Sequence, residues 1–387
     1  MDWLELCFNI MEDYIVLNND ESASIERFVN ISNHIEAVVN NYYFIKKQKE
    51  SVLRADKMFE KIGELYDECG LYDHVLNNYL CSLEIREKYL GKNHCDYAII
   101  CDNIGLYFTN IGDFDKAIEW HKKAIKILVK VNGENNSDSA IAFNNLGLAL
   151  EKKGNYDQAL KWYLKCLKID KLLHKGDHLD TAADYNNLGV VYLKIGDYNK
   201  SLEYFNKAAK MKEELIGNFN ANIAISYGNI GSANFKLKKY NEALEYTQKA
   251  YDIYKSIYKE KHPSTMLAHN NIASILADTG EYEKAKAIYF DSLKIGKEML
   301  GDIHSEVAMS YYNIGTIIFD EGDLNKSLPY FLMAYKIFKK VVDSENSDFL
   351  SVNKHLKAVY EGLNITVPFS SWIINELNKP FEKLLDG

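Results

Sequence analysis

A three-residue phrase recurs every 42 residues along this chain, and it dictates the kind of fold that the chain can adopt. Each copy is an asparagine, an aliphatic residue and a small residue, and no insertion or deletion separates the copies. A fixed period of this size indicates stacked copies of one supersecondary unit, because a single unit cannot bury its apolar face alone. We therefore expect one continuous array rather than several independent domains. The copies are Asn103-Ile104-Gly105, Asn145-Leu146-Gly147, Asn187-Leu188-Gly189, Asn229-Ile230-Gly231, Asn271-Ile272-Ala273 and Asn313-Ile314-Gly315, with a weaker copy at Lys61-Ile62-Gly63 and half a copy at His355-Leu356-Lys357.

Each copy carries the pattern of two helices joined by a short turn. In the fourth copy the apolar spacing predicts a helix from Thr181 to Lys194, which Gly196 ends, and a second helix from about Asn199 to Glu214. Two columns mark the second helix: an aromatic residue that opens it, and a strictly small residue that indicates close contact between helices. The aromatic column is Tyr72, Phe114, Tyr156, Tyr198, Tyr240 and Tyr282, and the small column is Ser82, Ala124, Cys166, Ala208, Ala250, Ser292 and Ala334.

Composition narrows the classes of partner and compartment. The hydrophobic share of 47% and the charged share of 26% are those of an ordinary folded protein. The net charge of −9 argues against nucleic acid and against anionic membranes, both of which attract clustered Lys and Arg. The apolar runs are too short to span a bilayer. Six cysteines without a CxxC pair indicate reduced thiols, so we expect a cytoplasmic location.

The columns together resemble the tetratricopeptide repeat. Its pattern is a Leu-Gly pair, a small residue about twelve positions later and a second small residue seven positions after that, as in Leu146-Gly147, Ala159 and Cys166. The 42-residue period is similar to the long repeats of kinesin light chains. A Leu-Gly-x-x-His connector, which occurs at Leu90–His94 and again at Leu300–His304, is also similar to these long repeats.

The resemblance implies an all-α fold, a right-handed α-solenoid of about seven helix-turn-helix units with helical caps. Residues 51–342 would hold the seven repeats. Residues 1–50, with a break near Asn18-Asn19-Asp20, are expected to form a helical cap, and an effector or dimerisation segment is the alternative. Residues 343–387 would form a half-repeat and a capping helix, and the apolar end helices leave homo-oligomerisation open. The expected apolar face of the last helix is Trp372, Ile373, Leu377, Phe381 and Leu384.

Motifs of catalytic chemistry are missing from the sequence, so an enzyme is not expected and neither a cofactor nor a metal is assigned. The chain has no GxxxxGK[ST] phosphate loop, no GxGxxG fingerprint and no HExxH pair. The ten histidines do not cluster at metal-ligand spacing. One column in the connectors between hairpins holds only His and Asn. The favoured interpretation is that these polar side chains form hydrogen bonds with backbone groups between the helices. That column is His94, Asn136, His178, Asn220, His262, His304 and Asn346.

In tetratricopeptide arrays the first helix of each hairpin lines the concave wall, so the resemblance places the asparagine column there. An asparagine amide supplies both donors and an acceptor. A row of amides can pair with the backbone of an extended peptide, as the equivalent asparagines do in the kinesin-light-chain type. The alternative is that each amide bonds to a neighbouring first helix and only holds the stack. The predicted peptide-binding asparagines are Asn103, Asn145, Asn187, Asn229, Asn271 and Asn313, with Asn144, Asn186 and Asn270 at the preceding position.

A second column of the inner wall places Lys152, Lys194 and Lys236 between acidic residues. We predict that this basic centre attracts an acidic segment or a C-terminal carboxylate, and the alternative is that the lysines complement the helix dipole. The positions that hold basic residues in the carboxylate clamp of chaperone-binding domains are here Ile99, Ile141, Ala183 and Ile225. That clamp is therefore not expected.

The sequence thus predicts a non-catalytic scaffold or adaptor that binds an extended peptide of a protein partner through an asparagine ladder and a central lysine stripe. The alternative is a peptide-gated regulator, either a signalling receptor or the accessory subunit of a protease or effector complex. In that case the solenoid would change pitch on ligand binding.

Overall fold

The computed structural model of the chain is all-helical over the residues that it describes, which are 5–11, 22–45, 49–342 and 346–378. The expected break near Asn18-Asn19-Asp20 lies outside these residues, as do Phe381 and Leu384. Among the described helices, none is both long enough and apolar enough to cross a membrane. The helices are α1 (5–11), α2 (Ser22–Ile45), α3 (Lys49–Glu68), α4 (Tyr72–Tyr89), α5 (Cys95–Asn110), α6 (Phe114–Asn132), α7 (Ser137–Lys152), α8 (Tyr156–Leu173), α9 (Leu179–Ile195), α10 (Tyr198–Ile216), α11 (Ala221–Lys236), α12 (Tyr240–Tyr258), α13 (Pro263–Asp278), α14 (Tyr282–Leu300), α15 (Ser305–Asp320), α16 (Leu324–Val341), α17 (Ser347–Gly362) and α18 (Phe369–Leu377).

The chain forms two compact units, Met1–Met211 and Lys212–Gly387. Within residues 49–342 the helices follow one another as seven pairs, from α3 with α4 to α15 with α16. The helices predicted for the fourth copy are one or two residues too short at each end, because α9 and α10 extend to their flanking caps. The aromatic column opens six second helices, as predicted, and every member of the small column is buried.

The glycine of the repeated phrase is required by the packing of most hairpins, and Ala273 replaces it in one copy. A Cβ placed on Gly147 in α7 would lie 2.7 Å from Cε1 of the Tyr163 ring in α8. A Cβ on Gly105 would meet the His121 ring in α6 at the same distance. Because atoms do not approach so closely, the ring of the second helix can lie on the first helix only where the side chain is absent.

The connector column caps the first helices, which confirms the favoured interpretation of its His and Asn residues. His178 precedes α9, and its Nδ1 accepts a hydrogen bond from the backbone N–H of Asp180 at 3.3 Å. Asn220 precedes α11, and its Oδ1 accepts from the backbone N–H of Ile223 at 3.0 Å. Such caps satisfy backbone donors that have no partner inside the helix.

The fifth copy ends its first helix without the usual glycine. Lys238 takes a positive φ of 58° where Gly196 and Gly280 take 93° and 83°. A side chain with a Cβ is disfavoured in this left-handed region, so Lys238 is a point of local backbone strain.

Both ends of the described chain pack against the helices beside them. In the first unit the ring of Phe8 stacks on Tyr42 at 3.8 Å between centroids, and Arg54 of α3 donates a hydrogen bond to Asn9 at 2.7 Å. In the second unit Trp372 of α18 is buried and its ring lies 5.1 Å from that of Tyr360 in α17. Capping segments would make such contacts, and the assignment of both ends as caps stays a prediction.

Candidate peptide-binding surface

The asparagine column lies on the first helices, and its members are half-buried. In the first unit, three of them donate a hydrogen bond from Nδ2 to the residue 43 positions earlier, on the first helix of the preceding hairpin. The bonds run from Asn103 to Glu60 at 3.2 Å, from Asn145 to Asp102 at 2.7 Å and from Asn187 to Asn144 at 2.8 Å. The interhelical role that the sequence left as the alternative is thus present in this unit.

These bonds use only part of each amide. An asparagine carries two N–H donors and one oxygen acceptor, and Asn145 uses one donor towards Asp102. Among the described residues, Oδ1 of Asn145 accepts no hydrogen bond. The side chain is half-buried rather than enclosed, so the remaining donor and the acceptor have access to a ligand. Contact between these amides and a peptide therefore stays a prediction, and it is compatible with the interhelical hydrogen bonds.

In the second unit, two neighbouring asparagines of the column line one cavity. Asn229 of α11 and Asn271 of α13 face a cavity of about 280 Å³, together with Ile225 and Leu267. Gly228, which stands where the other copies carry an asparagine, an acid or Tyr312, also lines it. The missing side chain at Gly228 leaves space beside the two amides.

The remaining predicted asparagines do not line this cavity. Oδ1 of Asn270 is buried without a hydrogen-bond partner among the described residues. Asn313 is half-buried on α15. Asn186, in the first unit, is half-buried on α9. None of these three lines the cavity with Asn229 and Asn271.

An aliphatic column on the same helices is a feature that the sequence analysis missed. Ile141 is 57% exposed, Ile225 is 45% exposed and Leu267 is 59% exposed, and each lies four residues before an asparagine of the column. Residues four apart share one face of a helix, so aliphatic side chains and amides alternate along the surface. The sequence analysis used these positions only to exclude a carboxylate clamp. The 42-residue period could have revealed them as an exposed apolar row.

The lysine column lies at the carboxyl ends of the first helices. Lys152 and Lys194 are exposed, and neither forms an ion pair among the described residues. The nearest acid is Glu151, which accepts a hydrogen bond from the hydroxyl of Tyr163 at 3.0 Å. Burial raises the pKa of Glu151, while the Tyr163 bond and the two lysines act in the opposite direction. Lys236 is exposed as the last residue of α11, so the arrangement also fits the helix-dipole alternative.

Buried polar side chains hold the first unit together beneath this surface. His121 is fully buried, and its Nδ1 lies 2.6 Å from Oδ1 of Asp102, whose other oxygen accepts the bond from Asn145. Asp102 thus joins α5, α6 and α7. The corresponding position of the next copy holds Tyr163, so the His121–Asp102 contact is a departure from the repeat.

Two histidines lie closer together than the sequence indicated. The rings of His174 and His178 stack at 3.5 Å between centroids. Nε2 of His174 lies 3.4 Å, and Nδ1 of His178 3.2 Å, from Oδ2 of Asp180. The statement that the histidines do not cluster is therefore wrong for this connector, because the turn between α8 and α9 brings residues four positions apart face to face.

Comparison with known proteins identifies the repeat. The model of the tetratricopeptide repeat family matches residues 54–128, 138–214 and 222–298, which is more than half of the chain. A search of curated proteins by sequence gives no match.

Solved structures share the fold at low sequence identity. A signal transduction ATPase with numerous domains from Pyrococcus horikoshii, which has a tetratricopeptide repeat sensor, aligns with a TM-score of 0.60 and 20% identity over 92% of this chain and 50% of its own. The apo form of RapI aligns with a TM-score of 0.56 and 15% identity over 94% of this chain and 98% of its own. A kinesin-light-chain repeat protein from Podosopora anserina aligns with a TM-score of 0.48 and 14% identity over 54% of this chain and 98% of its own.

Proposed function

Because the chain belongs to the tetratricopeptide repeat family, whose fold is a scaffold for protein–protein interaction, we propose that it is a non-catalytic adaptor that holds an extended peptide of a partner protein along its first helices. The observation that carries this proposal is the exposed aliphatic column beside the asparagine column. Large aliphatic side chains that are about half exposed occur on this helix face at Ile225 and Leu267 in neighbouring copies and at Ile141 two copies before Ile225, with Ala183 between. Such side chains are typical of surfaces that a partner covers.

The two rows would recognise different parts of the peptide. In the second unit, Ile225 and Leu267 flank the cavity that Asn229 and Asn271 line, so apolar side chains of a peptide would lie against the aliphatic residues. The amides would pair with backbone N–H and C=O groups, whatever the peptide's side chains are. Backbone pairing supplies affinity without sequence preference, and the apolar contacts supply the preference.

In the first unit, the charge of the peptide would matter. Lys152 and Lys194 are exposed cations without an ion pair among the described residues, and the nearest acid is held by Tyr163. An acidic side chain or a terminal carboxylate would therefore find two positive partners there. The charge of −9 on the chain as a whole disfavours acidic ligands elsewhere on the surface, so this attraction would be local.

A selection from a random peptide library, followed by affinity measurements, tests the proposal. Peptides selected on the full chain should bind the double variant Ile225→Ser/Leu267→Ser at least about tenfold more weakly, since buried interface anchors each contribute roughly 1–2 kcal/mol. Leu172→Ser is the matched control, because Leu172 is 60% exposed but lies on α8, a second helix.

The proposal fails if selected peptides bind the double variant and the wild type equally, or if Leu172→Ser weakens binding as much as the double variant does. Circular dichroism of each variant shows whether helix content is kept. For peptides with acidic residues, Lys152→Glu/Lys194→Glu should lower affinity further at low ionic strength than at high ionic strength.

The regulator remains the second candidate. The fold matches a tetratricopeptide repeat sensor over 92% of this chain, although at 20% identity that likeness concerns the fold alone. Small-angle scattering on the full chain separates the two functions. A radius of gyration that changes when a selected peptide saturates the protein favours the regulator, and an unchanged radius favours the rigid adaptor.

A further inference from the structure

A thiol and two carboxyl groups meet in the core of the first unit, away from the peptide-binding surface. Cys166 and Asp170 lie on α8, and Asp184 lies on α9. Their relative exposures are 3%, 6% and 3%. The sulfur of Cys166 and one carboxylate oxygen of each aspartate all lie within 4.8 Å of one another, and Sγ is 3.7 Å from Oδ2 of Asp170.

These groups have no basic partner in the part of the chain that the structure describes: no lysine, arginine or histidine there forms an ion pair with Asp170 or Asp184. Two carboxylates this close in a buried site need a cation or a proton between them.

Buried oxygens beside the cluster are left without partners. Oδ2 of Asp184 has no hydrogen-bond partner among the residues that the structure describes. Within the same residues Oγ1 of Thr181 also has none, and Thr181 is 2% exposed and lies one turn before Asp184 on α9. A proton shared between two carboxyl groups would satisfy only the oxygens that face each other. A metal ion accepts lone pairs from several such oxygens at once.

The repeat itself does not require polar groups at these positions. One copy earlier, the equivalent residues are Ala124, Leu128 and Ala142, which are buried in an apolar core. One copy later, the equivalent of Asp170 is Lys212, whose Nζ donates to Ser226 at 3.2 Å. The thiol with two carboxyl groups is therefore a local construction at the contact between α8 and α9.

We propose that Cys166, Asp170 and Asp184 bind one divalent transition-metal ion of the zinc class. A thiolate with carboxylates suits Zn²⁺ or Co²⁺ rather than Ca²⁺ or Mg²⁺, because the hard cations avoid sulfur. The i, i+4 spacing of Cys166 and Asp170 places both on one face of α8, and the ion would link them to the next hairpin. Binding would release the thiol proton and the proton shared by the carboxyl groups, so the net charge of the site would not change.

Cobalt alone is the probe for a first test on the full chain, after treatment with a chelator. Wild type should take up one Co²⁺ with a thiolate-to-cobalt charge-transfer band in the near ultraviolet, and Cys166→Ser should lose this band. Cys95→Ala should keep it, which excludes the half-buried group of His94, Cys95 and Asp96 as its source.

Thermal melting with and without Zn²⁺ is the second readout. The variant Cys166→Ala/Asp170→Leu/Asp184→Ala copies the residues of the preceding hairpin, so it should fold and melt independently of metal. At a metal concentration 100-fold above the dissociation constant, wild type should gain roughly 100-fold in the ratio of folded to unfolded protein. The proposal is overturned if wild type shows no charge-transfer band, if the band survives in Cys166→Ser, or if metal shifts the melting of wild type and triple variant equally.

Discussion

The hydrogen bonds of Asp102 give a quantitative test of how the first unit is held together. Asp102 is 5% exposed and accepts from Asn145 at 2.7 Å, while its other oxygen lies 2.6 Å from Nδ1 of the fully buried His121. Replacement of Asp102 by Ala leaves the buried His121 and the half-buried Asn145 without their partner. A buried, unsatisfied group such as His121 costs about 1–3 kcal/mol, and the half-buried Asn145 amide costs less because water can reach it. We therefore expect Asp102→Ala to lower the free energy of unfolding by about 2–4 kcal/mol.

The next copy of the repeat supplies the matched control. There the residues equivalent to Asp102 and His121 are Asn144 and Tyr163, and the Asn144 side chain accepts the bond from Asn187. The double variant Asp102→Asn/His121→Tyr copies this arrangement and keeps an acceptor for Asn145. It should unfold within roughly 1 kcal/mol of wild type, because donor and acceptor again match.

Urea unfolding followed by circular dichroism measures both free energies, with equal slopes required for the comparison. A loss below about 1 kcal/mol in Asp102→Ala would show that the bonds do not hold the hairpins together. A double variant as unstable as Asp102→Ala would show that the neighbouring copy is not an equivalent solution, and the reasoning from repeat to repeat would fail.

Three further changes have defined outcomes in the same unfolding assay. Lys238→Gly should stabilise the protein by roughly 1 kcal/mol, because glycine removes the strain of a positive φ; destabilisation would contradict this. Arg86→Met should cost about 3–5 kcal/mol at neutral pH, since it leaves the buried Asp56 and the half-buried Glu60 without their ion pairs. Burial raises the pKa of both acids above their ordinary values. Stability is therefore lost as the pH rises through these raised pKa values, and the stability that the variant lacks relative to wild type should shrink as the pH is lowered. Asn220→Ala should cost about 1 kcal/mol by removing a helix cap, whereas Asn220→His, the residue of neighbouring copies, should be close to neutral.

The periodic part of the fold was predictable from the sequence because one set of contacts repeats. The small column has one structural reason that applies in every copy, and so have the glycine of the phrase and the opening aromatic residue in all copies but one each, where Ala273 and Leu324 replace them. Gly147 and Tyr163 show it: the missing side chain and the ring that covers it recur 42 residues apart. Helix ends were less predictable, since caps such as His178 add a residue or two beyond the apolar pattern.

The departures from the period could not be predicted, because they depend on contacts between side chains of different columns. His121 and Asp102 belong to separate columns, and neither residue alone indicates the hydrogen bond between them. The Cys166–Asp170 spacing on one helix was visible in the sequence, but Asp184 joins them only through the packing of the next hairpin. The exposure of Leu267 likewise depends on which helix face the stack leaves open.

The central claim is that a peptide lies on the first-helix face, and site-specific photo-crosslinking tests it most directly. A photoreactive amino acid replaces Leu267 on α13 in one variant and Leu172 on α8 in another, two leucines of almost equal exposure. A library-selected peptide should crosslink to position 267 and not to position 172. Crosslinking at position 172 alone, or at both positions with equal yield, would contradict the claim.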